Sequence, residues 1–473
     1  MPPASAEALP YRADSVSLFA PLASEPWALF LDSNRDSGGG GRFDIIAARP
    51  RLTLCTCGRQ TRINPTGGRP SASAADPFTL LRAALARPRC EPAPVLGPLP
   101  ALPFYGGAIG WFGYDLARRL LPLPLASPLP PGEPQLAVGL YDWALVTDHQ
   151  ARCTWLTGCG VPDDPVRASL RALVLAPPGP RVGAPFEVAG QPISNLDAAA
   201  YGERFARVQA HIRAGDCYQV NLARRFAAPA RGDPWPAYLH LRRINPAPFA
   251  AFLNTPPLTL LCASPERFLQ VRTGQVQTRP IKGTARRAAT AAADRALAAA
   301  LAASPKDRAE NLMIVDLLRN DLGRCCAIGS VRVPELFAVE SFAGLHHLVS
   351  TVVGRLAPGQ DAIDLLRACL PGGSITGAPK RKTMEIIDAL EGEARGPYCG
   401  SIAYLGYDGA MDSNIVIRTL SFRPADTIGP GWGELRYWAG GGLVADSVRA
   451  AEWAEIALKA RAMQALVRHF QRR

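Results

Sequence analysis

The rhythm of apolar positions changes near residue 190. Upstream, short apolar runs bounded by turn-forming residues, PWALFLDS (26–33), RFDIIAA (42–48), AVGLYDWALVTD (137–148) and ARCTWLTG (151–158), predict strands. Downstream, stretches of helical period alternate with strands. Residues 33–43, 86–103 and 175–194 are rich in glycine or proline and predict loops or linkers. The last of them marks a boundary between an N-terminal region, 1–190, and a second region, 191–473.

Within the second region, Tyr201, Phe205, Val208 and Ile212 fall on one helical face, and Gly215 is placed to end that helix. CYQVNLARRFAA (217–228) alternates as a strand, and LTLLCASPERFLQVRTGQVQTRP (258–280) predicts two antiparallel strands turning at RTGQ. Lys282 then falls just past a strand, on a loop bent by Pro280 and Gly283, a common address for reacting groups. In SPKDRAENLMIVDLLRNDLG (304–323), Ser304 is placed to cap a helix, with Pro305 in its first turn, Asp307 completing a capping-box-like pattern and Gly323 at its end. Glu310 shares a face with Asp307, and in DSVRAAEWAEIALKARAMQAL (446–466) Glu452 and Glu455 again stand three apart on a helix. Two such carboxylate pairs suit one hard divalent ion, Mg²⁺, while a simple cap and solvated acids are the other reading. PGGSITGAPKRKTMEIIDALEG (371–392) runs from loop into helix, where backbone N–H groups can receive an anion, but it lacks the Lys and Ser/Thr of a Walker A loop. YWAGGGLVADS (437–447) predicts a strand followed by a glycine bend.

Composition narrows the class. Hydrophobic residues make up 48% and charged residues 19% of 473 positions, which is globular and long enough for two or three ordinary domains. No apolar run reaches 18 residues and the start lacks an apolar signal core, so a soluble cytoplasmic protein with no membrane partner is expected. The eleven scattered cysteines, without paired CxxC spacing, read as reduced thiols and not as a zinc site. A net charge of +12 admits a nucleic-acid partner or a small anionic substrate. The arginines are spread along the chain, with no zinc-finger spacing or aromatic-basic RNA-binding signature. No nucleic acid is therefore expected as a partner, and a basic nucleic-acid-binding protein stands as the reading from a different class.

Only five of the 52 basic residues are lysine, at 282, 306, 380, 382 and 459. Where a fixed charge suffices the chain uses arginine; a step that needs a neutral amine has only lysine. Lys282 is therefore a candidate nucleophile, with a leftover surface charge or carboxylate clamp as the alternative.

Eight stretches, GDCYQVNLARRF (215–226), SPERFL (264–269), TRPIKGT (278–284), ENLMIVDLLRNDLGR (310–324), HHLVSTVVG (346–354), PGGSITGAPK (371–380), NIVIRTL (414–420) and AGGGLVADS (439–447), occur in the order found in the chorismate-utilising enzymes. The chain resembles that family, which includes anthranilate synthase component I, from about residue 196 to its end. The match is looser through EPWALFLDS, RFDII and GGAIGWFGYDLARR. The resemblance implies an α+β fold in which two facing antiparallel β-sheets carry helices outside and a cleft between them. It is closest to the branch that converts chorismate and ammonia to 4-amino-4-deoxychorismate, on the way to p-aminobenzoate and folate. The chain lacks the Cys-His-Glu pattern of a glutaminase, so the ammonia would come from a glutamine amidotransferase partner.

Site roles follow from the same resemblance. Lys282 attacks C2 of chorismate, where anthranilate synthases carry alanine, and must have a lowered pKa to do so. Glu266 is the general acid and base and needs a raised pKa. Glu310 and Glu455 hold Mg²⁺, assisted by Asp307 and Glu452. Tyr398 and Arg418 hold the enolpyruvyl carboxylate; Thr284, Ser374, Gly441 and Gly442 contact substrate, and His347 lies near the leaving group. Gln219 stands where isochorismate and salicylate synthases carry a lysine base. Ser33, Arg42, Phe43, Pro248 and Phe249 match a tryptophan site, with core packing as the other reading of the two phenylalanines. Anthranilate synthase component I is the alternative activity.

Overall fold

The computed structural model describes residues 4–34, 41–86, 100–121, 123–124, 126–161, 163–176, 183–256, 258–341, 345–425, 429 and 431–472. Much of the three loop stretches read from the sequence (35–40, 87–99 and 177–182) lies outside the described residues. Among the described residues the strands form two large sheets with antiparallel pairing. The first runs, in spatial order, through Ser5–Leu9, Cys153–Gly158, Trp143–Asp148, Phe43–Ala47, Leu29–Asp32, Phe249–Thr255, Leu258–Ser264, Thr419–Pro424, Trp432–Leu443 and Gln219–Arg231 to Glu187–Val188. The second runs through Ile281–Arg286, Leu345–Arg355, Gln275–Thr278, Arg267–Arg272, Met411–Asn414, Ser401–Gly406, Gly107–Phe112, Leu136–Tyr141, Leu52–Cys57 and Gln60–Pro65 to Ser71–Ser73.

The facing sides of these sheets bury one apolar layer, in which Leu253, Leu258 and Leu260 of the first meet Ile109, Trp111 and Tyr141 of the second. The outer face of the first sheet, with Val220, Leu222 and Phe226, is covered by Tyr201 and Val208 of the helix Ala198–Arg213 and by Ile456 and Met463 of the helix Arg449–Phe470. Helices thus stand outside, and the fold is α+β as expected. Both sheets draw strands from both sides of residue 190: Leu29–Asp32 pairs with Phe249–Thr255, and Gly107–Phe112 with Ser401–Gly406. The change of texture at 190 is therefore not a seam in either sheet. Among the described residues no helix is long and apolar enough to cross a membrane.

Three local readings need correction. The stretch 258–280 contains three strands, because the chain leaves the first sheet after Ser264 and enters the second at Arg267. Pro265, with no N–H to donate, stands at the crossover, and Glu266 is carried with it into the space between the sheets. The expected turn is present, with Arg272 opposite Gln275. Lys282 lies inside the strand Ile281–Arg286 and not on a loop, since pairing resumes directly after Pro280. The register slips by one residue between Ile281 opposite Val349 and Thr284 opposite His347, which is a bulge at Lys282 and Gly283. Gly283 has φ +85°, and a Cβ there would stand 3.0 Å from Asp307. Finally, Gly440 to Gly442 make no bend; the strand Trp432–Leu443 runs straight through them opposite Leu222 and Asn221. Their hydrogens permit close approach, because a Cβ on Gly440 would lie 2.6 Å from the Leu222 carbonyl oxygen.

Candidate active site

The crossover at Pro265 delivers Glu266 to a buried position, 8% exposed, where burial pushes its carboxyl up to about 7. The charges of Lys282 and Lys459 and a hydrogen bond donated by Ser374 Oγ (3.1 Å to Oε1) oppose that rise without cancelling it. Ser374 sits on a short 3₁₀ turn, Gly373–Ile375, so the turn aims its hydroxyl at the acid. Lys282, on the bulge, has its ammonium disfavoured first by burial and then by the Lys459 charge; Glu310, Glu266 and Glu455 pull the other way, and the net shift is downward. A carboxyl that keeps its proton up to about pH 7 and an amine eased toward neutrality thus lie within electrostatic reach of each other.

The helices Pro305–Gly323 and Arg449–Phe470 bring the four acids to the same end of the cleft. Ser304 caps the first, accepting from Asp307 N, and Gly323 is its last residue. Burial, together with the carboxylates of Asp307 and Glu455, raises the pKa of Glu310 against Lys282 and Lys306. Burial also raises that of Glu452, which is 5% exposed and accepts from Ser447 Oγ at 2.7 Å. For Glu455 burial is outweighed by Lys459, whose Nζ lies 2.7 Å away, and its pKa falls. A Cβ on Gly441 would stand 3.3 Å from Glu452 Oε2 and 3.7 Å from Glu455 Oε1, so that glycine lets the backbone reach the acids.

These donors are all carboxylate oxygens that destabilise one another's charge, which fits a hard divalent cation in chemistry and charge. Among the described residues no three acids, histidines or cysteines are gathered closely enough to form a closed ligand set. Lys459 and, at 3.9 Å, Lys306 instead lie against Glu455 and Glu310.

Across the cleft, Arg418 adopts φ +50°, a left-handed conformation that a non-glycine residue rarely takes without surrounding support. Burial lowers its pKa, and among the described residues no carboxylate pairs with it. A desolvated guanidinium of this kind is ready for a ligand's carboxylate. His347 is 7% exposed; burial and then the Arg418 charge push its imidazole down to about 4, so it is neutral at pH 7. Its Nδ1 lies 2.9 Å from Thr284 Oγ1 across the strand pair. Tyr398 is buried, its ring stacked on Trp438 with centroids 5.7 Å apart. Beside Gly442 lies Gln219, fully buried, whose amide nitrogen and oxygen both lack a partner among the described residues; a Cβ on Gly442 would come within 2.9 Å of that amide.

The chain has counterparts among known proteins. Residues 42–465 match the family of chorismate binding enzymes. The chain belongs to that family. Aminodeoxychorismate synthase component 1 of Klebsiella aerogenes is 51% identical over 94% of this chain and 95% of its own length. Anthranilate synthase component 1 of Streptomyces coelicolor is 40% identical over 96% of this chain and 86% of its own length. The crystal structure of anthranilate synthase component I from Streptococcus pneumoniae superposes with a TM-score of 0.74, at 30% identity over 89% of this chain and 92% of that one.

Several residues around the candidate site escaped the sequence reading. Lys459, which donates to the Gly440 carbonyl at 3.1 Å and bears on both Glu266 and Lys282, and Lys306 belong to the same scarce set of five lysines that singled out Lys282. Arg395 and Glu391 form a fully buried pair, with guanidinium bonds to the Ile375 and Asn221 carbonyls, one turn away from Ser374 and Tyr398. Their i, i+4 spacing was the available signal. The proposed tryptophan residues lie elsewhere. Ser33 directly follows the strand Leu29–Asp32, which lies between the strands that Phe43 and Phe249 begin; Ser33 donates to Asp44, and Arg42 pairs with Asp148. Pro248 is half-buried just before the Phe249 strand, and Phe43 packs partly against the layer between the sheets.

Proposed function

We propose that this chain makes 4-amino-4-deoxychorismate from chorismate and ammonia through a covalent bond to Lys282. One observation carries the reading: a lysine with a lowered pKa shares a cleft with a buried carboxyl whose pKa is about 7. The Lys282 amine adds to C2, the ring double bonds shift, and the C4 hydroxyl departs as water with the Glu266 proton. Ammonia then adds at C4, the double bonds shift back, the C2–nitrogen bond breaks, and Glu266 takes up a proton from the incoming nitrogen. Arg418 and Tyr398 orient the enolpyruvyl carboxylate, Ser374 orients Glu266, and neutral His347 stands beside the site of departure. Glu310 and Glu455, with Asp307 and Glu452, would hold Mg²⁺, which supplies charge stabilisation for the ring carboxylate. A glutamine amidotransferase subunit would deliver the ammonia in the cytoplasm, and the product feeds p-aminobenzoate and folate synthesis. The residues around Ser33, Phe43 and Phe249 would receive tryptophan.

Intact-mass analysis after mixing with chorismate, without ammonia, tests the reading. The expected result is a substrate-sized adduct on Lys282 that is absent in Lys282→Ala. Formation of anthranilate and pyruvate as products with ammonium salts would replace this reading by the anthranilate synthase activity. Salt-sensitive binding to random duplex without chorismate turnover would favour a nucleic-acid-binding protein.

A further inference from the structure

On the helix-covered face of the first sheet, away from the cleft, Arg224 projects from the strand Gln219–Arg231 toward the helices Ala198–Arg213 and Arg449–Phe470. It is 9% exposed, and its guanidinium lies 3.8 Å from the centre of the Trp453 ring and 4.8 Å from that of Phe226. Its Nε and Nη2 donate to one oxygen, Ser194 Oγ, at 3.3 and 3.0 Å. Among the described residues no carboxylate lies within ion-pair distance of it. Buried charges in proteins are ordinarily paired, because removing an ion from water without a counter-charge is costly.

Two further donors surround the same rings. Among the described residues, the hydroxyls of Tyr201 and Tyr437, each residue 1% exposed, have no hydrogen-bond partner. The Tyr437 ring stacks on Phe226 at 4.9 Å and the Tyr201 ring lies 5.1 Å from Trp453, so each tyrosine packs on one of the two rings that hold the guanidinium. Both lie within electrostatic reach of Arg224. Among the described residues the setting therefore has one guanidinium with no carboxylate at ion-pair distance and two O–H groups with no acceptor. Arg468 adds positive charge on the Tyr437 side, whereas Asp197 faces Arg224, and Glu452 and Glu455 face Tyr201.

We infer that Arg224, Tyr201 and Tyr437 bind a small monovalent anion, chloride in the cell, between this helix pair and the sheet. A single guanidinium that already has Asp197 within electrostatic reach favours one negative charge over two. The burial of both tyrosines excludes a bulky ligand. A water molecule would satisfy the phenols but leave the guanidinium without a counter-charge. Trp453 stands on the helix between Glu452 and Glu455, so occupancy bears on the element that carries those acids to the cleft.

Bromide replaces chloride and scatters anomalously, so crystals of the full chain soaked in bromide are expected to show a peak in contact with the Arg224 guanidinium. In solution, exchanging gluconate for chloride at constant ionic strength is expected to raise the Tm of the native chain. Tyr437→Phe, which keeps the ring packing, is expected to shift half-saturation to several-fold higher chloride, and Arg224→Gln to abolish the rise. If Arg224→Gln fails to fold, the bromide peak and Tyr437→Phe decide. Absence of the peak, or equal chloride responses in the native chain and Tyr437→Phe, overturns the inference.

Discussion

Lys282 and Glu266 depart from their ordinary pKa values in opposite directions for one cause, the loss of water. Burial penalises whichever form is charged, so it lowers the amine and raises the carboxyl. The pH dependence follows in sign. The step needs Lys282 without its extra proton and Glu266 with its own, and activity is expected to fall on the alkaline side, near pH 7, as Glu266 loses its proton. Glu266→Gln is expected to lower kcat by about 10²–10⁴-fold and to remove the alkaline limb from the kcat/KM profile. The same residue bears on stability. Its folded-state pKa is raised from 4.5 to about 7, so its favourable contribution is complete below pH 4.5 and is lost as pH rises through 7. Glu266→Gln is therefore expected to stabilise the fold relative to the native chain at pH 8, by ~3 kcal/mol at most, and so to raise Tm there, and to leave it little changed at pH 4. Thermal melts at both pH values check this, and a larger gain at pH 4 would contradict it.

The strand Ile281–Arg286 and the two acid-bearing helices act as units. The bulge at Gly283 turns Lys282 into the cleft and leaves no room beside Asp307. Gly283→Val is expected to cost about 1–3 kcal/mol of stability and to reduce kcat more than it raises KM, because it displaces the amine itself. Calorimetry and steady-state kinetics separate the two effects. The helices set the carboxylates, and removal of Mg²⁺ with a chelator is expected to suppress adduct formation on Lys282. Glu310→Gln is expected to weaken Mg²⁺ binding in isothermal titration, a measurement independent of turnover. The buried Arg395–Glu391 pair braces the Ser374 turn against the Gln219 strand. Arg395→Met, which leaves Glu391 buried and unpaired, is expected to destabilise the chain by about 3–5 kcal/mol.

At the level of the molecule, both sheets cross residue 190, so separating the regions would strip Leu29–Asp32 from Phe249–Thr255 and Gly107–Phe112 from Ser401–Gly406 and open both sheets in their middle. Heating is expected to give a single calorimetric transition, and residues 191–473 expressed alone are expected to remain unfolded. Two separate transitions would show that the regions fold independently. Helix Ala198–Arg213, its Asp197 cap and Gly215 at φ +79°, the Ser304 cap and the turn opposite Arg272 could be read along the chain because each depends on neighbours a few residues away. Lysine scarcity marked Lys282 for the same reason: it is a property of composition. The switch between sheets at Pro265, the bulge that moved Lys282 from a loop into a strand, and the straight passage of Gly440 to Gly442 could not be read this way. Each is set by a strand that lies far away in sequence. The shifted pKa values of Glu266, Lys282 and His347, and the unpaired guanidinium of Arg418, likewise come from charges and burial assembled across the fold. Residue type and short-range spacing named the chemical groups; desolvation and Coulomb interactions, which depend on distance in space and not along the chain, gave those groups their protonation states and their orientation.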